Sequence, residues 1–453
     1  MTAADATPDT IVAIATAAGR GAVGVLRVSG PGVPRLAQQL LGALPNPREA
    51  QLRRFLDADG AVLDRGLALY FPAPASFTGE HVLELQGHGG ILVMDLLLRR
   101  LLRLGCRMAR PGEFSERAFL NGKMDIAQAE GVADLIDAGT SAAARAAVRS
   151  MQGEFSARIG EVRAQLTALR IYVEAALDFP DETIDFLSGP ALADRVSQVF
   201  AAFAAIKAAA RQGALLREGL TVVIAGRPNA GKSSLLNRLA GDAVAIVTAV
   251  PGTTRDLLRH HLHLDGLPLT VIDTAGLRET VDVVEVEGIR RAKGEMQRAD
   301  RVLYVVDAAA TAPDCEAADL RDLPAGVAVT VLVNKIDLTG DRARLDQAGS
   351  KPRVFLSAHT GEGMDLLCTH LQTVAGYRDD NEGALSARRR HLDALDRADE
   401  LVKHAAETLR TTRAVELFAE DLRLAQQALG EITGELTSDD LLGEIFRSFC
   451  IGK

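Results

Sequence analysis

Tryptophan is absent from this sequence, and the four cysteines stand far apart at positions 106, 315, 368 and 450. There is no C-x-x-C and no cysteine–histidine cluster. That spacing argues against a zinc site and a disulfide framework, and it points to a reducing, cytoplasmic setting. A positive surplus is missing as well: 51 lysines and arginines face 60 aspartates and glutamates, a net charge of −9. The chain is therefore not a generically basic nucleic-acid binder, and any contact with RNA is expected through a local basic face or a partner. No basic-then-apolar leader opens the sequence. The most apolar helical run, Val199 to Ala210, is mostly alanine and is interrupted by Lys207, so no membrane span is expected. What remains is ordinary globular material, 453 residues of which 47% are hydrophobic and 25% charged. At this length roughly two to four domains are expected.

Four textures follow one another. Residues 1–121 alternate short β-like runs (Thr10–Ala15, Gly24–Val28, Gly66–Phe71, His81–Leu85) with glycine and proline turns and one helical pattern, Ile91–Leu104. They read as an α+β domain. From 122 to 215 the β signals vanish and a helical bundle is expected, broken at Asp178-Phe-Pro-Asp-Glu182. Residues 219–376 alternate apolar strands (Thr221–Ala225, Leu269–Ile272, Arg301–Val306, Val329–Val333, Val354–Leu356) with helices, the pattern of a mainly parallel α/β sheet. Helical texture returns over 377–453 and ends in an amphipathic helix that Ser438 can cap. One bundle interrupted by an inserted α/β domain explains the repeated texture better than two bundles, because domains with adjacent termini insert readily.

The strongest motif is Gly226-Arg-Pro-Asn229-Ala230-Gly231-Lys232-Ser233, a complete G-x-x-x-x-G-K-[ST] between an apolar run and a helical pattern. Its backbone amides suit phosphate oxygens, Lys232 supplies a cation to the β- and γ-phosphates, and the Ser233 hydroxyl suits Mg²⁺; Ser234 follows in the same turn. Asp273, Thr274, Ala275 and Gly276 form a D-x-x-G after the next strand, with Asp273 set to reach magnesium through water and the Gly276 amide to meet the γ-phosphate. Asn334, Lys335 and Asp337 form N-K-x-D. A carboxylate at 337 can accept both N1–H and the exocyclic N2–H₂ of guanine, a donor pair adenine lacks, so GTP is selected over ATP. Ser357 and Ala358 end the following strand, suited to backbone contact with the guanine oxygen. The ordered set reads as a GTPase domain.

The position after D-x-x-G, where many GTPases carry a water-orienting glutamine, is Leu277. Another source of transition-state charge is then needed. The stretch Thr248, Ala249, Val250, Pro251, Gly252, Thr253 and Thr254 can offer oxygens to a second cation, with Thr254 the expected second Mg²⁺ ligand.

On these motifs, and on the terminal Phe449-Cys450-Ile451-Gly452-Lys453, the chain resembles the MnmE (TrmE) family of tRNA-modifying GTPases over nearly its whole length. The resemblance implies a multidomain α/β and α+β chain: an N-terminal folate-binding and dimerisation domain, a helical bundle, and a Ras-like P-loop G domain inserted into the helices. It implies K⁺ held by Asn229, Thr248, Val250 and Thr253, and G domains that pair across their nucleotide faces. It also implies a water-orienting glutamate at Glu285, with Glu287 as rival. By resemblance, Arg27, Glu84, Lys123 and Lys453 bind a one-carbon tetrahydrofolate (5,10-methylene- or 5-formyl-), and Cys450 carries a functional thiol. The implied partners are a second copy, tRNA, and the flavoprotein MnmG (GidA), which supplies FAD and NADH and forms a heterotetramer with it. The product is a wobble uridine (U34) carrying carboxymethylaminomethyl at C5. The alternative is a ribosome-associated or regulatory GTPase switch without modifying activity, which needs none of Arg27, Glu84, Lys123 or the terminal C-I-G-K. Two further glycine clusters, Gly19–Gly24 and Gly87–Gly90, lack the context of a dinucleotide fingerprint or an oxyanion turn and read as turns or close backbone approaches.

Overall fold

The computed structural model describes residues 9–178, 190–242, 259–273, 293–310, 313–378, 383–412, 414–435, 439–447, 449 and 452. By contacts the chain divides into two compact units. One comprises Met1–Ala133, Ser150–Val199 and Arg397–Lys453, the other Asp134–Arg149 and Phe200–Asp396.

The first unit begins with β1 (Ile11–Ile14), β2 (Val23–Ser29), α1 (Val33–Leu41), β3 (Gln51–Leu56), β4 (Val62–Phe71), β5 (Val82–His88), α2 (Ile91–Arg103), β6 (Arg107–Met108) and α3 (Glu113–Leu120). The strands form one sheet in the order β3-β4-β5-β2-β1-β6. Period-two alternation sends Leu26, Val28, Phe55, Ala68, Leu83 and Leu85 to the core that α1 and α2 cover. It leaves Arg27 and Glu84 directly opposed on the other face. Helix α1 is not expected from the sequence, where glycine and proline punctuate the region. Pro34 sits in its first turn, where proline is tolerated, and Val33, Leu36, Ala37, Leu40 and Leu41 are buried at helical spacing. The two glycine clusters meet each other: Gly21 N donates to Gly89 O at 3.0 Å, and a Cβ on Gly89 would fall 2.5 Å from Gly21 O.

Glu113 opens α3 and is only 2% exposed. It accepts from Arg107 Nη2 at 2.6 Å, Arg117 Nη2 at 3.1 Å and the Arg110 backbone amide at 2.7 Å. Burial alone would raise its pKa, but these donors outweigh it and hold the carboxyl at about 2. A carboxyl depressed in the folded state stabilises fully above its unfolded pKa, and that stability is lost as pH falls through the folded value. Glu113→Gln is therefore expected to cost roughly 3 kcal/mol at pH 7. The gap from the unaltered chain should shrink as pH falls from about 4.5 towards 2, read by urea unfolding across that range. A gap independent of pH would contradict the ionic account.

Helices α4 (Ile126–Asp137), α5 (Ser141–Met151), α6 (Glu154–Asp178) and α7 (Pro190–Glu218) follow. Helix α7 corrects one expectation: by length and composition it could cross a membrane, with a mean hydropathy of 1.3 in its best window. Its Val199, Phe203, Ile206, Ala210 and Ala214 are nonetheless buried in protein, three or four residues apart.

The α/β block contains β7 (Leu220–Gly226), α8 (Lys232–Asp242), β8 (Arg259–Leu264), β9 (Leu267–Asp273), β10 (Arg301–Asp307), α9 (Pro313–Arg321), β11 (Val329–Asn334), α10 (Ile336–Thr339), β12 (Arg344–Asp346), β13 (Arg353–Phe355) and α11 (Met364–Ala375). Its sheet runs β12-β13-β11-β10-β7-β9-β8. The five central strands are parallel and the two edges antiparallel. Separate cores fill its two faces, one around Leu235, Leu239, Leu367 and Leu371, the other around Val223, Ile272, Val331 and Met296. Strand β7 lies between β9 and β10, so the chain reverses direction across the sheet there, the point at which open α/β sheets bind ligands at the strands' carboxyl ends.

The chain ends in α12 (Arg389–Thr412), α13 (Val415–Thr433) and α14 (Asp439–Arg447). Helices from before and after the α/β block pack together: Arg170 on α6 donates to Gln426 Oε1 on α13 at 2.9 Å, and Arg163 on α6 pairs with Glu435. The fold is thus a multidomain α/β architecture in which a helical domain is interrupted by the P-loop block. Ile445 and Phe446 of α14 and Phe449 beyond it pack with Ile126 and Ala129. The expected cap Ser438 lies outside the described residues.

Candidate nucleotide-binding site

Four chain segments reach one edge of the parallel sheet because four strands end there. Gly226 is opposite Val305, Asp273 opposite Ile224, and Asn334 opposite Asp307. Behind β7 the loop curls through left-handed backbone at Gly226 (φ 144°), Asn229 (φ 63°) and Gly231 (φ 97°) before α8 starts at Lys232. Such a run turns successive amides towards a common centre at a helix N-terminus, a ready anion site. Gly231 is required twice over: its φ disfavours a side chain, and a Cβ would lie 2.2 Å from Asn334 Nδ2. Lys232 Nζ donates to the loop's own carbonyls, Gly226 O at 3.0 Å and Arg227 O at 2.9 Å. Ser233 and Ser234 are exposed on the first turn of α8, and Ala230 is buried beneath the loop. Asp273 is 8% exposed at the end of β9.

Asn334 ties this loop to the next. Its Nδ2 donates to Ala230 O at 2.9 Å, and its Oδ1 accepts from the Ala358 amide at 2.9 Å. The 357–359 turn, with Ser357 and Ala358 buried, is further held by Arg238 Nη2 on His359 O at 2.8 Å. Lys335 takes the left-handed conformation (φ 68°), and its Nζ pairs with Asp307 Oδ2 at 2.6 Å. Burial would raise the Asp307 carboxyl, but Lys335 and the Ala309 and Ala310 amides bring it below the ordinary range. Asp337 follows one residue into α10 and is exposed. Sequence reasoning names Asn334 for its motif but misses its bridging role, and it misses Asp307 and Arg238 altogether. Nothing local in the sequence marks those two, because their partners come from distant strands. Asn334→Ala removes both bridging bonds, and GTP affinity is expected to fall about tenfold in calorimetric titration. A change below twofold would show that the loops keep their places unaided.

Of the expected site residues, Thr248, Ala249, Val250, Pro251, Gly252, Thr253, Thr254, Thr274, Ala275, Gly276, Glu285, Glu287, Cys450 and Lys453 lie outside the described residues.

On the N-terminal sheet, Arg27 Nη2 and Glu84 Oε1 stand 2.8 Å apart and satisfy each other. The guanidinium lies 5.5 Å from the Phe77 ring centre and 5.9 Å from that of Phe114. Its Nη1 is 3.5 Å from Gly452 O, so Gly452 is seated beside the pair. Lys123 is not part of that contact. It is exposed after α3 and borders a cavity of about 350 Å³ shared with Phe119, Gln128 and Gly434.

Residues 10–123 match the family description "GTP-binding protein TrmE N-terminus", and residues 126–450 match "MnmE helical domain". The tRNA modification GTPase MnmE of Yersinia pseudotuberculosis serotype IB (strain PB1/+) is 58% identical over 452 residues, covering 99% of this chain and 100% of that one. The chain belongs to the MnmE family of tRNA modification GTPases. Its MnmE relative in Sodalis glossinidius (strain morsitans) is 58% identical over 450 residues, 98% of this chain and 99% of that protein. Among solved structures, the G domain of the T. maritima FeoB iron transporter is 26% identical, covers 34% of this chain and 98% of that one, and superposes with a TM-score of 0.27. As an MnmE-family member the chain is a GTP hydrolase.

Proposed function

We propose that this chain hydrolyses GTP in a potassium-dependent reaction activated by pairing of two G domains. That cycle drives C5 modification of the wobble uridine of certain tRNAs, in the cytoplasm and together with the flavoprotein MnmG (GidA). The observation that carries the reading is the meeting of the P-loop, Asp273, the Asn334–Asp337 segment and Ser357–Ala358 at one sheet edge.

In this reading the Lys232 ammonium, already aimed into its loop, moves from two carbonyls to the β- and γ-phosphate oxygens. The inward amides and the α8 dipole add to it. Asp337 accepts the two guanine donors, while the Ser357 and Ala358 backbone faces the guanine oxygen. Glu285, with Glu287 as rival, holds the attacking water.

The Ser233 hydroxyl, exposed at the start of α8, and the Asp273 carboxylate, ending β9, are oxygen donors of the kind that suits Mg²⁺, and Thr254 would complete the set. Asn229, exposed and left-handed in the loop, fits a K⁺ ligand alongside Thr248, Val250 and Thr253. The two cations would supply positive charge to the phosphates.

The Arg27–Glu84 pair supports the tetrahydrofolate part of the reading: a carboxylate suits the pterin's N–H donors, and a guanidinium suits the carboxylated tail. Lys123 and Lys453 would add charge for that tail. The seating of Gly452 beside Arg27 supports a role for Cys450, two residues earlier in the sequence, and a plain GTPase switch needs no such arrangement. The pterin-bearing cofactor would provide the carbon, and FAD and NADH would reside on the partner of a heterotetramer built on the homodimer.

The test is the steady-state GTPase rate in KCl and in NaCl at equal ionic strength. Potassium is expected to be faster by about tenfold or more. Equal rates would remove the monovalent cation from the mechanism.

A further inference from the structure

The two stems of the inserted block are fastened to each other. The incoming stem is the C-terminal part of α7. The outgoing stem, described at 376–378 and 383–388, runs back along the same helix. Leu385 N donates to Ala209 O at 3.3 Å, and Arg378 N to Gln212 Oε1 at 3.3 Å, while the Gln212 amide reaches Gly376 O. At Gly213 a Cβ would lie 1.6 Å from Leu385 O, so only glycine admits the passing strand.

Both stems then converge on one carboxylate. Asp134, in the last turn of α4 and 8% exposed, accepts from Arg217 Nε of the incoming stem at 2.9 Å. From the outgoing stem it accepts Arg388 Nη2 at 3.0 Å and Ser386 Oγ at 2.6 Å. A cavity of about 300 Å³ lies beside this knot, bordered by Asp134, Gly213, Leu216, Arg217 and Ser386. Close-packed cores lack such space, and here it leaves Arg217 of the incoming stem room to shift beside Asp134. Helix α4 itself runs unbroken from Ile126 to Asp137.

We propose that Asp134 is the positioning residue that couples the G block to the rest of the chain. Through it, a shift of either stem during the nucleotide cycle is delivered to the end of a continuous helix. The proposal rests on the reading that hydrolysis drives the modification. The buried Asp134 carboxylate is shared by both stems' guanidinium groups, Arg217 pairing with Glu218 at 3.1 Å as well, so loosening one stem alters the hold on the other. Among the described residues Asp134 bonds to Arg217, Ser386 and Arg388 and to no nucleotide segment, and its loss should leave hydrolysis itself alone.

The experiment compares the full-length chain with its Asp134→Asn and Ser386→Ala variants, each combined with the partner flavoprotein and unmodified tRNA. Both GTP turnover and modified uridine formed per GTP hydrolysed are measured. Turnover is expected to stay within about twofold, while the yield per GTP falls about tenfold in Asp134→Asn and less in Ser386→Ala, within the span common for coupling between sites. An unchanged yield per GTP, whether with normal turnover or with turnover and melting temperature lowered together, shows a merely structural knot and overturns the proposal. If Asp134→Asn does not fold, Ser386→Ala, which removes a hydroxyl and no charge, decides by the same ratio. Modified uridine formed at the unaltered chain's rate by Lys232→Ala, despite its lost hydrolysis, would overturn the hydrolysis-driven reading, and this proposal with it.

Discussion

Asp337→Asn is expected to turn the chain from GTP towards xanthosine triphosphate, with its kcat/KM for GTP falling about a thousandfold. Guanine offers two donors on one edge, N1–H and the exocyclic amine. A carboxylate accepts both, each charge-assisted bond contributing roughly 1.5–3 kcal/mol. An amide accepts one and opposes the other with a donor of its own. Xanthine carries an oxygen where guanine has its amine, so the same amide matches it. Asp337 is exposed at the start of α10, and its replacement leaves the buried Asn334 bridge and the Lys335–Asp307 pair untouched. The fold should therefore survive, and the ratio of kcat/KM for the two nucleotides reads the effect cleanly. A variant that still prefers GTP would mean that this carboxylate does not face the base.

Lys232→Ala is expected to lower GTP hydrolysis by about a thousandfold or more, the scale of removing a preorganised charge from a developing phosphate anion. Its ammonium is held by the Gly226 and Arg227 carbonyls, at the mouth of a loop whose shape is set by left-handed residues and by Asn334. Melting temperature should move little, because neither carbonyl is denied water when the lysine goes. Circular dichroism and turnover on one preparation separate the two effects. A large drop in melting temperature with a proportionate loss of turnover would assign Lys232 to the fold instead.

How much of this was legible in the sequence depends on how local the signal is. The central G-block strands are continuous apolar runs, buried on both faces, and periodicity finds them within a residue or two. Strand β8, Arg259-His-His-Leu-His-Leu264, pairs only with β9 at the sheet edge, and its histidines hide it. Helix α1 was masked by prolines that a first turn accepts, and β3 by Arg53 and Arg54 on an edge strand. The phosphate loop was readable because one contiguous motif carries it. Asn334 could be named as part of a motif, but its use as a bridge depends on Ala230 and Ala358, brought beside it only by the parallel register. Asp134 was invisible for the same reason: its partners at 217, 386 and 388 lie far along the chain, and a lone aspartate near a helix end is normally solvated.

The most direct measurement is nucleoside analysis of tRNA from a strain lacking this gene, complemented either by the unaltered chain or by Lys232→Ala. The expected result is loss of the C5-modified wobble uridine on deletion, return with the unaltered chain, and no return with the lysine variant. Normal modified uridine in the deletion strain, or full rescue by Lys232→Ala, would contradict a GTPase cycle that drives the modification.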